Sequence, residues 1–129
     1  MYKYSVTVRG YELDSYGHVN HAVYLNYLEQ SRWEILKELQ LFDYLHKNEL
    51  LLVVTELNIR YKQEAKLFDE LVINTNITKK PPYLIFLHKI YNSKTKRMIS
   101  EARVKTLLID KNRIPHDIPA EFKTDPLTK

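Results

Sequence analysis

The feature that most constrains the fold is a change of hydrophobic period partway along the chain. Tyr24, Leu28, Ser31, Ile35 and Leu39 recur at steps of three and four residues, which puts them on one face of an α-helix. Glu29, Gln30, Glu34, Lys37 and Glu38 fall mostly elsewhere, while Val23, Leu25, Tyr27 and Leu36 widen the apolar stripe. The spacing predicts a deeply packed helix over about 21–39. From residue 50 onward the period becomes two. Thr55, Leu57, Ile59 and Tyr61 oppose Glu56, Asn58, Arg60 and Lys62, and segments 71–79, 83–92 and 98–109 read as three further strands. Pro81-Pro82 and Asn92-Ser93-Lys94 mark turns between them. Residues 3–9 also alternate, with Tyr4, Val6 and Val8 on one face, and the alternation stops at Gly10.

The order is therefore strand, helix, then four strands in succession. Strands joined by short connections pair antiparallel, and a sheet that accompanies one long apolar helix buries that helix by curving around it. The expected class is α+β: a curved antiparallel sheet of about five strands wrapped around one long central α-helix. At 129 residues the chain has room for a single domain over 1–129, with residues 118–129 read as a C-terminal tail.

Composition excludes several classes of function. Hydrophobic residues make up 44% and charged residues 28% of the chain, with only two glycines, which rules out a disordered or fibrous polymer. The absence of cysteine removes disulfides, thiolate metal sites and a cysteine nucleophile together, and suits a cytoplasmic setting. The N-terminal residues 1–9 carry no apolar run of the kind a signal peptide needs. The longest wholly apolar run, Leu50 to Val54, falls far short of the roughly 20 residues of a membrane span. A soluble protein is expected. The net charge of +4 is spread over every segment, so it favours polyanions without choosing between nucleic acid and a phosphate-rich small molecule.

Chemistry concentrates just before the helix. Asp14-Ser-Tyr-Gly-His-Val-Asn-His21 holds a carboxylate, two imidazoles and an amide side chain within eight residues. Asn20 is a good N-cap, and with it in that role Val19 and Tyr24 stand at the positions of a hydrophobic staple. A capping side chain satisfies the amide of Ala22 or Val23 and leaves the His21 amide free at the positive end of the helix dipole, a ready oxyanion site. Gly17 lets the loop fold back, so the Asp14 carboxylate can face a carbonyl held by that amide, acting as general base on water or as nucleophile.

Each of these residues also has a plainer reading. Asp14 can serve as a loop carboxylate that accepts backbone hydrogen bonds. His18 can orient Asp14, bind substrate, or simply tie the loop together. Tyr24, Tyr27 and Trp33 suit packing. Asp14, His18 and His21 stand at i, i+4 and i+7, but they straddle the helix start and no second cluster completes a tetrahedral set, so no metal site is expected.

The segment from Val8 to Trp33 resembles the 4-hydroxybenzoyl-CoA thioesterase family, and within it the bacterial long-chain acyl-CoA thioesterase III type. The resemblance rests on D-x-x-x-H-V-N-x-x-x-Y-L, here Asp14 to Leu25, followed by Glu29-x-x-Arg32, and extends to Leu57-Asn-Ile-Arg-Tyr-Lys62. It implies the hotdog fold, with Asp14 as the catalytic carboxylate, the His21 amide polarising the thioester carbonyl, and His18 as a further catalytic candidate. It implies an acyl-CoA thioester hydrolase acting on medium- to long-chain substrates, with Gly17, Asn20, Tyr24 and Tyr27 about the substrate. Coenzyme A would arrive as part of the substrate, no separate cofactor being implied, with its phosphates near Arg60, Lys62, Lys79 or Lys80. The family forms homodimers or homotetramers. Two departures stand out: relatives commonly read H-V-N-N where this chain has His18-Val-Asn-His21, and R-R-P-A where it has Lys62-Gln-Glu-Ala65. The acyl chain is expected beside Tyr27, Leu28 and Phe86. Alternatives are an aromatic acyl-CoA or acyl-carrier-protein thioesterase, a hotdog dehydratase, and a non-catalytic binding protein.

Overall fold

The structure, a computed structural model, describes residues 1–123. Strand β1 (Tyr2–Thr7) leads through a 3-10 turn at Gly10–Glu12 to helix α1 (His21–Glu38), then a short helix α2 (Phe42–Lys47). Four strands follow: β2 (Leu51–Tyr61), β3 (Glu70–Lys80), β4 (Tyr83–Asn92) and β5 (Met98–Ile109). They form one five-stranded sheet in the order β1-β3-β4-β5-β2, and every pairing is antiparallel. Strands joined by tight turns pair with each other, Lys80 opposite Tyr83 at the β3–β4 turn. The β1–β3 pairing closes over the chain that carries the helices and β2, and the β2–β5 pairing closes over β3 and β4.

The alternation in the strands is the core-facing pattern. Leu71, Ile73, Thr75 and Ile77 of β3 are buried, as are Leu84, Phe86, His88 and Ile90 of β4, because successive side chains of a strand point to opposite faces. Against this face α1 buries Tyr24, Tyr27, Leu28, Ser31, Ile35 and Leu36, each apolar side chain being worth roughly 1.5–3 kcal/mol when fully withdrawn from water. Strand β2 is an edge, broken by a register shift between Val54 and Glu56; only Leu52, Val53, Leu57 and Ile59 along it are half-buried.

Three expectations change. Among the described residues there are two α-helices, not one, because α2 spans only six residues and is too short to show a helical period; Leu41, Leu45 and Leu50 anchor it in the core. Strand β1 ends at Thr7, because the Arg9 amide turns to donate to Glu12 Oε1 at 2.8 Å. The segment read as a tail from 118 packs at its start: Ile118 lies against the core, and Phe122 is 1% exposed with its ring edge-on to Phe86 at 6.4 Å. Residues 124–129 lie outside the described residues. Among the described residues no helix is long and apolar enough to cross a membrane.

Candidate functional site

The helix entrance is built by a turn that closes on its own carboxylate. Asp14 N donates to His18 O at 2.8 Å and Gly17 N to Asp14 O at 3.1 Å, and Gly17 takes a φ of +78°. A Cβ there would meet nothing within 4 Å, so the backbone conformation, not space, demands glycine. Asp14 Oδ1 accepts from the amides of Tyr16 at 2.9 Å and His18 at 3.2 Å. The backbone-bonded reading of Asp14 is thus met by one oxygen, and Oδ2 takes no hydrogen bond among the described residues.

Asn20 caps α1, its Oδ1 accepting from Ala22 N at 2.9 Å, while Val23 N donates to Asn20 O at 2.9 Å. That leaves the His21 amide with no acceptor among the described residues, at the end of the helix where unpaired N–H groups and the dipole favour negative charge. Val19 and Tyr24, the staple pair, are both buried.

The entrance is clamped to the turn that follows β2. Val19 N donates to Ala65 O at 2.9 Å, Ala65 N donates to Tyr24 Oη at 3.2 Å, and Tyr61 Oη donates to His21 O at 2.9 Å. Between them lies an open cleft of about 310 Å³ with Asp14, His18, His21, Tyr24, Tyr61 and Lys62 on its walls. Lys62 also pairs with Glu101 at 3.3 Å. A carbonyl whose oxygen approaches the His21 amide here has a carboxylate on the same walls, which is what acyl transfer to water requires.

Not every expected residue reaches this cleft. Gly17 and Asn20 shape its loop without lining it. Tyr27 is buried and donates to Glu12 Oε1 at 2.7 Å, with burial and the neighbouring carboxylate pushing its phenol well above the usual range; its expected place beside substrate is corrected to the core. Leu28 on the inner face of α1 and Phe86 of β4 are fully buried and line neither this cleft nor the cavity described below. Arg60 opens into a separate depression with Lys89 and Arg103, because a β2 residue one step from Tyr61 points to the opposite face of the sheet. Lys79 stands beside Pro81 and His116. Among the described residues no three His, Asp or Glu side chains are grouped to hold a metal.

Three features escaped the sequence reading. Glu12 is buried, and although burial opposes its ionisation, hydrogen bonds from Arg9 and Tyr27 outweigh it and hold the carboxyl below its usual range. Its main-chain carbonyl accepts from Asn20 N at 2.9 Å and its carboxylate from Tyr27 Oη of α1 at 2.7 Å, so this residue anchors the helix entrance. Tyr61 was read only as a strand residue. The third is a cavity of about 440 Å³ between α1, α2 and the start of β2, walled by Arg32, Trp33, Leu36, Leu45, Leu52 and Thr106 among others. Arg32 was legible in principle, since it occupies a helical row between Leu28 and Leu36 that is otherwise apolar.

Residues 8–125 match the family model of the thioesterase-like superfamily. The chain belongs to that superfamily. This thioesterase-like chain is 40% identical over 72 residues to long-chain acyl-CoA thioesterase FadM of Escherichia coli, covering 56% of this chain and 54% of FadM. It is 32% identical over 126 residues to acyl-CoA thioesterase YbgC of Haemophilus influenzae, covering 93% and 91% of the two. The match to FadM thus spans about half of that relative's length. The crystal structure of YbaW from Escherichia coli superposes with a TM-score of 0.84 at 29% identity, covering 95% of this chain and 93% of that one. The five-stranded antiparallel sheet described above is thus that of a hotdog thioesterase fold.

Proposed function

We propose that this chain hydrolyses acyl-CoA thioesters, with Asp14 as general base or nucleophile and the His21 amide as donor to the developing oxyanion. One observation carries the reading: a carboxylate with one uncommitted oxygen and a helix-terminal amide with no acceptor share the walls of one cleft. The names of FadM and YbgC support the substrate class. Water adds to the thioester carbonyl as Asp14 takes its proton, and the tetrahedral intermediate expels coenzyme A thiolate, giving carboxylate, coenzyme A and a proton. In the covalent course Asp14 adds to the thioester carbonyl and coenzyme A thiolate leaves, and water then opens the mixed anhydride, releasing the acid and restoring the Asp14 carboxylate. His18 steadies Asp14 through its backbone amide, and Lys62 at the rim offers a cation to a coenzyme A phosphate. No cofactor takes part.

The geometry of α1 favours medium to long acyl chains. At about 100° per residue, His21, Leu25, Arg32 and Leu36 lie along one side of the helix, with the cleft at the His21 end of this row and the cavity walled by Arg32 and Leu36 at the other. His21 to Arg32 is eleven residues, about 16.5 Å along the axis at 1.5 Å each. An extended chain advancing about 1.2 Å per bond covers that in about 14 bonds.

Thiol release from acetyl-, dodecanoyl-, palmitoyl- and benzoyl-CoA tests the proposal. The two long-chain esters are expected to give the highest kcat/KM, and Asp14→Asn to lower kcat by about 10²–10⁴. Release from none of them by the folded protein, or an Asp14→Asn variant as active as the parent, refutes it.

A further inference from the structure

Arg32 is an unusual wall for a cavity that is mostly apolar, with Glu29, His46 and Thr106 as its other polar lining residues. It is 9% exposed, and its Nη1 lies 3.2 Å from His88 Nε2. Burial pushes its guanidinium below the usual range, with Glu29 opposing that only in part. Glu29 lines the same cavity, but it is exposed and turned to Trp33 Nε1 at 3.4 Å, and no ion pair joins any carboxylate to Arg32 among the described residues. A buried cation without a close counter-charge is costly, and an arriving anion relieves that cost.

The polar chain behind Arg32 fixes the direction in which it can bind. His88 is 1% exposed, and burial together with the adjacent Arg32 pushes its imidazole down to about 3, so the ring is neutral. Nε2 therefore accepts from Arg32, and Nδ1 donates to Thr75 Oγ1 at 2.7 Å. Thr75 Oγ1 in turn lies 3.3 Å from Ser31 Oγ. With Nη1 held on this chain, Nε and Nη2 have no partner among the described residues and form one edge of the guanidinium fork, the edge that matches a carboxylate.

Resting on the acyl-CoA reading above, we propose that the acyl groups this protein takes end in a carboxylate, and that Arg32 receives it in the cavity between α1, α2 and β2. The substrate class is the coenzyme A monothioester of an α,ω-dicarboxylic acid. The span fits: about a dozen carbons from a carbonyl at the His21 amide, plus one hydrogen bond of about 2.8 Å, bring the far carboxylate level with Arg32.

Two readouts separate this from the hydrolase reading. Trp33 is the only tryptophan and lines the cavity, so its fluorescence reports occupancy without turnover. Decanoate is expected to bind at least tenfold more tightly than decanol, and Arg32→Met to bring the two within twofold. In turnover, dodecanedioyl-CoA is expected to exceed its ω-methyl ester at least tenfold in kcat/KM. That comparison uses the parent protein alone, so it stands even if Arg32→Met does not fold. Equal binding of decanoate and decanol, or equal turnover of acid and ester, overturns the inference while leaving hydrolysis intact. A tenfold carboxylate preference in a protein that hydrolyses none of these thioesters supports the Arg32 site and refutes the hydrolase reading.

Discussion

Replacing Tyr27 with phenylalanine removes one oxygen from a buried site whose remaining bonds are known, so its effect can be worked out. Tyr27 Oη donates to Glu12 Oε1 at 2.7 Å, and both side chains are at most 5% exposed. A hydrogen bond to a charged group contributes roughly 1.5–3 kcal/mol. Glu12 Oε1 keeps the Arg9 amide at 2.8 Å and Oε2 keeps the Arg9 guanidinium at 2.7 Å, so the carboxylate is not orphaned and the loss falls in the lower part of that range, about 2 kcal/mol. At about 3–5 °C per kcal/mol for a chain of this size, Tm falls by about 6–10 °C.

The pH dependence has a definite sign. The Glu12 carboxyl titrates in the folded protein below its ordinary 4.5, so its contribution is fully present above that pH and is lost as pH falls through the folded value. Since Tyr27 is one of the donors that depress it, the gap between parent and Tyr27→Phe should narrow below about pH 4. Urea unfolding at pH 7 and pH 3.5, read by circular dichroism, measures both. A destabilisation under 0.5 kcal/mol at pH 7, or a gap that widens on acidification, would refute the account of Glu12 as an ionised anchor of the helix entrance.

Two further substitutions probe the cap and the C-terminal plug. Asn20→Ala removes the acceptor for Ala22 N and should cost about 1 kcal/mol in urea denaturation, with Asn20→Gly costing only a few tenths. Phe122→Ala empties the space beside Phe86 and should cost about 3–5 kcal/mol; a change below 1 kcal/mol in the same assay would restore the reading of this stretch as a free tail.

The periodic segments were legible because periodicity is a local consequence of backbone geometry. Alternation over 71–79, 83–92 and 98–109 became β3, β4 and β5 to within a residue at each end, and the apolar row from Tyr24 to Leu39 became α1. The cap at Asn20, the turn at Gly17 and the unpaired His21 amide were also local, each set by residues within a few positions. Tertiary structure alone decided what those elements bring together. Arg32 meets His88 across 56 positions of sequence, Tyr61 reaches His21 across 40, and Ser31 faces Thr75 across 44. Such pairings depend on strand order and register, here β1-β3-β4-β5-β2, which no short-range pattern encodes. At the helix entrance, therefore, the sequence determined which groups stand together, a carboxylate with one uncommitted oxygen and a helix-terminal amide with no acceptor among the described residues. The packing of α1 against β2, α2 and the sheet decided the rest, including the buried Arg32 on the wall of a separate cavity.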